Sequence, residues 1–560
     1  MDSNEEKYQT TVESSAEKHQ TSSSEDIKAT AAYAGSDDGV GSMEDGQPQQ
    51  GYKLKRSLKT RHLTMIALGG VIGQGLFLSA GANLHNGGPA GALIAYSIIG
   101  FIVFWVAYSL GEMATYIPVS GSFTIYCKRF VDSSFGAMVG YNYWGCWAII
   151  VAAELVALPL VMQFWTEKVP DWAWSLIYLV IIFLLNLFGA RSYGEAEYWF
   201  SLIKVLAVLI FIIVGACISG GLIGDETYGF KYWQDGNAFP HGVLGVIDSF
   251  VLASFSMQGT EIIGITAGEC SNPLKQVPRA IKTVFWRIIV FYLCSVFIMG
   301  QVIPWDDPRN LQTDSGSVTV SPFTLVFSKG SLASVAHIMN VVILITVLSC
   351  ANSGLYVASR TMMALSQEGI AWKKLSHISK RGVPIYSLIC TALVSLVCFV
   401  TSVIPGKALY QVLVSLSGVA GFVTWGSICL AHFRFRQAFK AQGRSLDILP
   451  FKAMWHPFGD IFDIFGCTVC ALISGYSFFY PPSAVGLIGN YAGLIFCAVG
   501  FVITKWWTKS KMVPLTEIDL DTGVSELVLD KELRASMMAE RVITGPWYQQ
   551  IWKRVVIVFT

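Results

Sequence analysis

Residues 66–81 read IALGGVIGQGLFLSAG and residues 254–269 read SFSMQGTEIIGITAGE; both belong to long apolar runs, and both are interrupted where such a run should be continuous. Gly69, Gly70, Gly73 and Gly75 crowd the first stretch, while Gly259, Thr260 and Glu261 break the second, with Gly264 close behind. Glycine inside a helix costs roughly 0.5–1 kcal/mol relative to alanine. A mid-run cluster therefore marks either unwinding or the close approach of a second helix, since small residues also let membrane helices pack tightly.

Outward from these two stretches, apolar runs alternate with short polar connections from Arg61 to Trp507. Each run has about twenty residues, the length that crosses roughly 30 Å of hydrocarbon at about 1.5 Å per residue. Twelve such runs begin near His62, Ala90, Met138, Ala173, Tyr198, Gly242, Thr283, Ser334, Pro384, Ala408, Phe458 and Ala484. Every one is expected to be helical, because lipid offers no partner to open backbone. Composition agrees: 53% of the 560 residues are hydrophobic and 14% charged, which excludes a water-soluble fold. A net charge of +1 leaves no basic excess for nucleic acid.

Three regions follow. Residues 1–51 are rich in Ser, Glu, Asp and Gln, hold no apolar core of a signal peptide, and are predicted to be a disordered cytosolic tail. Residues 52–507 form the membrane domain, and 508–560 a second cytosolic tail with a short surface helix expected over Glu526–Arg541. Lys7, Lys18 and Lys28 offer attachment points to trafficking or ubiquitination machinery, although each also reads as part of a solvated tail. Short loops that retain Lys and Arg stay cytosolic. These residues fall before the first run (Lys53, Lys55, Arg56, Lys59, Arg61) and in alternate connections: Lys128 and Arg129; Arg191; Lys275, Arg279, Lys282 and Arg287; Lys373, Lys374, Lys380 and Arg381; Arg434 to Lys452. The opposite connections carry Asp225, Glu226, Asp235, Asp306, Asp307 and Asp314, so both termini are expected in the cytosol.

The twelve cysteines fall in apolar runs or at Cys127 and Cys270 in the cytosolic connections, and no disulfide is predicted. Cys467 and Cys470 make a CxxC inside an apolar helix without basic neighbours, which reads as packing rather than metal or redox chemistry.

The interrupted runs are the first and the sixth, corresponding members of two five-helix halves. Broken helices at matching positions of an inverted repeat point to a binding site at the membrane midplane. Freed N–H groups there suit a carboxylate and freed C=O groups an ammonium, the two charges of an amino acid's backbone.

The same residues carry a resemblance. GGVIGQGLF (69–77), GEMATYIPVSGSF (111–123), SFGAMVGYNYW (134–144), GTEIIGITAGECSNP (259–273) followed by PRAIKTVFWRI (278–288), and LSCANSGLYVASRTMMALSQEG (348–369) resemble, in order, the signatures of the yeast amino-acid transporter family of the amino acid, polyamine and organocation superfamily. The resemblance implies an all-α membrane fold of twelve transmembrane helices: a LeuT-like five-plus-five inverted repeat plus two C-terminal helices. It implies a plasma-membrane symporter that imports amino acids with protons, the proton gradient being the driving force and no cofactor or metal being used.

Residue by residue, Ile72, Gly73, Gln74 and Gly75 match the unwound first-span loop whose amides receive the substrate carboxylate. Phe255 matches the aromatic that closes over substrate, Ser256 and Met257 continue that wall, and Gly259, Thr260 and Glu261 match the sixth-span break. The family usually has a small hydroxyl residue at Gln74, and an aromatic and a small residue at Met257 and Gln258, so side-chain preference does not transfer. Glu154 matches an acidic position associated with proton coupling, and Lys204 a lysine standing where relatives hold sodium, bridging the first and eighth spans near Asn352 and Ser353. A central charge costs about 2.5–3.5 kcal/mol on insertion scales, so Glu154, Lys204 and Glu261 each need a partner or a purpose; pairing between helices is the bland alternative.

An enzyme is disfavoured: His62, His85, His241, His337, His377, His432 and His456 are scattered without ligand spacing, and no GxxxxGK[ST] loop occurs. An amino-acid receptor built on the same scaffold, or a carrier of polyamines or organic cations, remain alternative readings.

Overall fold

The structure, a computed structural model, describes residues 60–66, 72–119, 121–166, 168–268, 270, 272–309, 321–403, 405–479, 482–525 and 528. The readings for residues 1–51, for Gly69 and Gly70, and for Glu526–Arg541 apart from Val528 lie outside them. Among the described residues there is no strand. The principal helices are α1 (Thr60–Met65), α2 (Ala80–Tyr116), α3 (Phe123–Phe130), α4 (Ser133–Met162), α5 (Asp171–Asn186), α6 (Ala190–Ser219), α7 (Gly242–Met257), α8 (Ile262–Ala267), α9 (Pro273–Trp286), α10 (Cys294–Val302), α11 (Pro322–Lys329), α12 (Ala333–Gln367), α13 (Ile385–Ser395), α14 (Gly406–Ala441), α15 (Phe458–Ile473) and α16 (Ala484–Thr508).

Ten helical stretches among the described residues are long and apolar enough to cross a bilayer, and α5 is a shorter apolar helix. The stretch Gly75–Tyr116, at 42 residues, is longer than one crossing needs. It bends at Gly88, which takes φ +70° and ψ 178°, just ahead of Pro89. Proline excludes its predecessor from helical geometry and supplies no N–H, so two helices meet there end to end.

Local chemistry sets the ends. Asp132 caps α4 by accepting from the Ser134 N–H, Asn272 caps α9 ahead of Pro273, and Ser321 caps α11 ahead of Pro322; Asn, Asp and Ser satisfy first-turn donors and proline needs none there. Helix α4 is apolar all round and buried along most of its length, as expected at the centre of a bundle. By contrast α16 exposes Ile488, Ile495, Phe496 and Val502, as a lipid-facing helix does.

Three boundary expectations need correction. The fifth run starts at Ala190 rather than Tyr198, so Arg191 lies in the first turn of α6 and not in a connection. The seventh run starts at Pro273 rather than Thr283, because Asn272 and Pro273 open a helix through the charged stretch. Arg287 is consequently not in a connection: it is fully buried within the continuous helical stretch Pro273–Val302. Arg434 and Arg436 likewise belong to the last turns of α14. None of the twelve cysteines is in a disulfide, and Cys467 and Cys470 are buried on α15.

Candidate functional site

Both glycine-rich stretches interrupt their helices. After α1, Ile72 and Gly73 are non-helical, and the chain resumes in a single wide π-turn over Gly75–Ser79 that runs into α2. Gln74 leads into this turn without capping it through its side chain; π-turns of this kind are frequent at functional sites. In the second stretch α7 ends at Met257, Gln258 turns extended at ψ 153°, and Gly259 takes φ +94°, a conformation glycine adopts without strain. Helix α8 then begins at Ile262.

The interruptions face each other. A methyl group on Gly75 would run into the Ser256 backbone, so glycine is what lets the first turn before α2 lie against α7. Ser256 is fixed there: Tyr96 Oη lies 2.8 Å from its hydroxyl, and the Tyr292 hydroxyl donates to its carbonyl at 2.9 Å. Between the two breaks lies a small, tight cavity lined by Gly73, Gly75, Trp147, Ile150, Glu154, Phe255, Ser256, Gln258 and Cys350.

Four residues marked in the sequence for substrate, Gly73, Gly75, Phe255 and Ser256, line this cavity, together with Glu154. Glu154 is 1% exposed, and neither of its carboxylate oxygens has a well-formed hydrogen bond among the described residues. Its polar surroundings are the Cys350 thiol, the Gln74 backbone N–H and the charge of Lys204. Gln74 is fully buried, and its side-chain amide also lacks a partner among the described residues. A buried carboxylate and a buried amide without well-formed partners are each costly to keep.

The remaining marked residues are placed differently. Ile72 and Met257 are wholly buried in the core. Gly259 shapes the break, and Thr260 lies beside Leu110 and Val277. Glu261 is spoken for: its carboxylate accepts from the Gly259 N–H at 3.1 Å, from the Tyr143 hydroxyl at 3.3 Å and from Trp425 Nε1 at 3.1 Å. It holds the interruption open rather than facing the cavity. Gln258, noted as a departure from the family, is anchored by donating to the Ser417 carbonyl while Cys146 donates to it at 3.3 Å.

Lys204 is fully buried, with Nζ 3.6 Å from Glu197 Oε1; Glu197 is also fully buried and accepts from the Ser349 hydroxyl at 2.5 Å. Glu197 was not marked in the sequence, although seven residues before Lys204 places it two turns back on the same helix face. Asn352 turns instead to Asn186, whose amide donates to it at 2.9 Å, and the Ser353 hydroxyl meets Tyr193 at 3.0 Å. Buried Arg287 donates to the Thr260 hydroxyl beside the second break. That contact was not legible, because Arg287 lies next to the charged run of a connection.

Residues 62–515 match the family of amino acid permeases, which spans both breaks and every helix from α2 to α16. The chain belongs to that family. This permease is 43% identical over 445 residues to a lysine-specific permease of Escherichia coli, covering 79% of this chain and 91% of the relative. It is 40% identical over 509 residues to a general amino-acid permease of Candida albicans, covering 89% and 86% of the two chains. A basic amino-acid permease of Saccharomyces cerevisiae is 38% identical over 509 residues, covering 88% of each. The relatives are named as transporters rather than enzymes, so the permease is a multi-pass helical membrane protein of amino-acid transport.

Proposed function

We propose that this permease imports amino acids across the plasma membrane together with protons, by alternating access around the cavity between the two interrupted helices. The observation that carries the reading is Glu154, an open carboxylate on the wall of that cavity beside Gly73. A charge within the membrane costs about 2.5–3.5 kcal/mol on insertion scales, so a carboxylate whose polar neighbours are only a thiol, one backbone N–H and the charge of Lys204 gains from taking up a proton. Lys204 and Glu197 provide a fixed charge pair near it. One proton charge moving through about 100 mV releases about 2.3 kcal/mol, and each pH unit adds about 1.4 kcal/mol; no nucleotide is required.

Dividing Gly75–Tyr116 at Gly88 and adding α5 to the ten long stretches gives twelve crossings. The breaks then fall in the first and sixth, which supports a LeuT-like inverted repeat of five and five helices with two more at the C-terminal end, and both termini in the cytosol. In this scheme Gly73 and Gly75 leave room for the substrate carboxylate and Phe255 covers the site. Names of relatives that specify lysine and basic amino acids make cationic amino acids the first substrates to try.

The test is uptake of labelled lysine into vesicles reconstituted with the full chain, with and without an imposed proton gradient. The gradient is expected to raise accumulation more than tenfold. Glu154→Gln should abolish that increase while leaving binding of lysine within a few fold; gradient-driven accumulation equal to that of the parent would remove Glu154 from its role.

A further inference from the structure

Away from the cavity, a second polar cluster lies where the end of α2 meets α14 and the start of α15. Glu112 of α2, His432 of α14 and Asp460 of α15 are buried, while His456, on the connection into α15, is 20% exposed. Asp460 is the hub. His432 Nδ1 lies 2.9 Å from each of its oxygens and His456 Nδ1 2.7 Å from Oδ2, and the Ser109 hydroxyl donates to Oδ1 at 2.7 Å. Behind His432, its Nε2 faces Glu112 Oε1 at 3.4 Å, and Arg436 clamps that carboxylate with Nε at 2.5 Å and a second nitrogen at 2.6 Å. One turn further along both helices the Cys429 thiol donates to Asp463 Oδ2 at 3.3 Å. The other Asp463 oxygen is fully buried and has no hydrogen-bond partner among the described residues.

One ligand atom each from His432, His456 and Asp460 lies within 4.8 Å of the others. Two imidazoles and a carboxylate are a donor set that suits zinc and its neighbours, which take three protein ligands and leave a fourth position to water. The surroundings match as well. A ligating histidine ordinarily gives its second N–H to a carboxylate, which fixes the tautomer and the ring, and Glu112 stands at that place for His432. The partly exposed His456 provides the access route.

We propose that His432, His456 and Asp460 bind one divalent transition-metal ion of the zinc class, with Glu112 as the positioning residue behind His432. Both rings bind through Nδ1 as neutral imidazoles, His432 keeping its proton on Nε2 toward Glu112 and His456 on its outer Nε2; a second proton, where a ring carries one, leaves to solvent on the side of His456. The ion fastens α14 to α15 and, through Glu112, to α2.

The full chain, purified without a polyhistidine tag and stripped with chelator, is titrated with Co²⁺ and read by visible d–d absorption. One equivalent of tetrahedral Co²⁺, displaced by Zn²⁺, is expected in the parent. The band is lost in His456→Ala, whose partly exposed position on a connection spares the fold, and kept in His377→Ala, an exposed histidine outside the cluster. Zn²⁺ should also raise the unfolding temperature of the parent and of His377→Ala but not of His456→Ala. Absence of the band in the parent, a band undiminished in His456→Ala, or an equal Zn²⁺ shift in the parent and His456→Ala overturns the site.

Discussion

At Gly73 a single missing methyl group decides whether the cavity exists. A Cβ there would stand 2.8 Å from Cys350 Sγ and 3.3 Å from Glu154 Oε1, both of them side chains, whereas at Gly75 it would meet the Ser256 backbone. The two glycines therefore do different things: Gly75 lets helices approach, and Gly73 leaves the cavity unfilled. Gly73→Ala is expected to weaken substrate binding by about tenfold or more, the equivalent of roughly 1–3 kcal/mol of overpacking. Adding Cys350→Ala should recover part of the loss in a competition-binding assay, because the thiol is the nearest obstacle. A double variant as weak as the single one would rule out a steric origin. Both glycines stood out in the sequence because a glycine cluster within an apolar run marks either unwinding or close helix approach, though which glycine does which was not readable there. That Glu261 serves the backbone of Gly259 was not legible either, since a carboxylate beside a break looks the same whether it faces a ligand or its own chain.

Among the elements, the apolar runs were legible because crossing lipid fixes their length, and where a start was misjudged the cause was local. Charged α9 disguised the first turns of the seventh run, as its amphipathic pattern resembles a surface loop more than a membrane helix. The start of α4 depends on Asp132, which accepts from the Ser134 N–H at 2.7 Å, from the Ser510 hydroxyl at 2.5 Å and from Lys505. Burial pushes the Asp132 carboxyl up, but the hydrogen bonds from Lys505, Ser510 and Ser134 outweigh it and hold the group below the usual carboxylate range. A depressed value in the folded state means the contribution to stability is present above the ordinary aspartate pKa of about 3.9 and is lost as pH falls through the lower folded value. Asp132→Asn is therefore expected to unfold at lower temperature than the parent near neutral pH, with the two curves converging below about pH 4. A gap between parent and variant that stays constant down to low pH would show that the charge of Asp132 is not what holds the end of α4.

At the scale of the whole molecule, what the sequence concealed are contacts between distant segments: Glu112, His432 and Asp460 come from three helices, and no spacing joins them. The chain after α16 is a further case. It returns across the ends of other helices: the Val513 N–H donates to the Val131 carbonyl at 3.0 Å, Gln442 donates to the Ile518 carbonyl at 2.7 Å, and the Ser525 N–H donates to the Tyr116 carbonyl at 3.1 Å. Arg444 grips Asp521 through two bonds of 2.6 and 2.7 Å, yet Asp521 is 73% exposed, whereas Leu520 beside it is fully buried. Exposed ion pairs contribute about 0–1 kcal/mol, and truncating a buried leucine to alanine costs about 2–5 kcal/mol. Leu520→Ala should therefore lower the thermal unfolding temperature of the full chain well beyond what Arg444→Ala does. If Arg444→Ala proves equally damaging, the returning segment is held by charge rather than by burial, and raising the salt concentration should then loosen it in the parent as well.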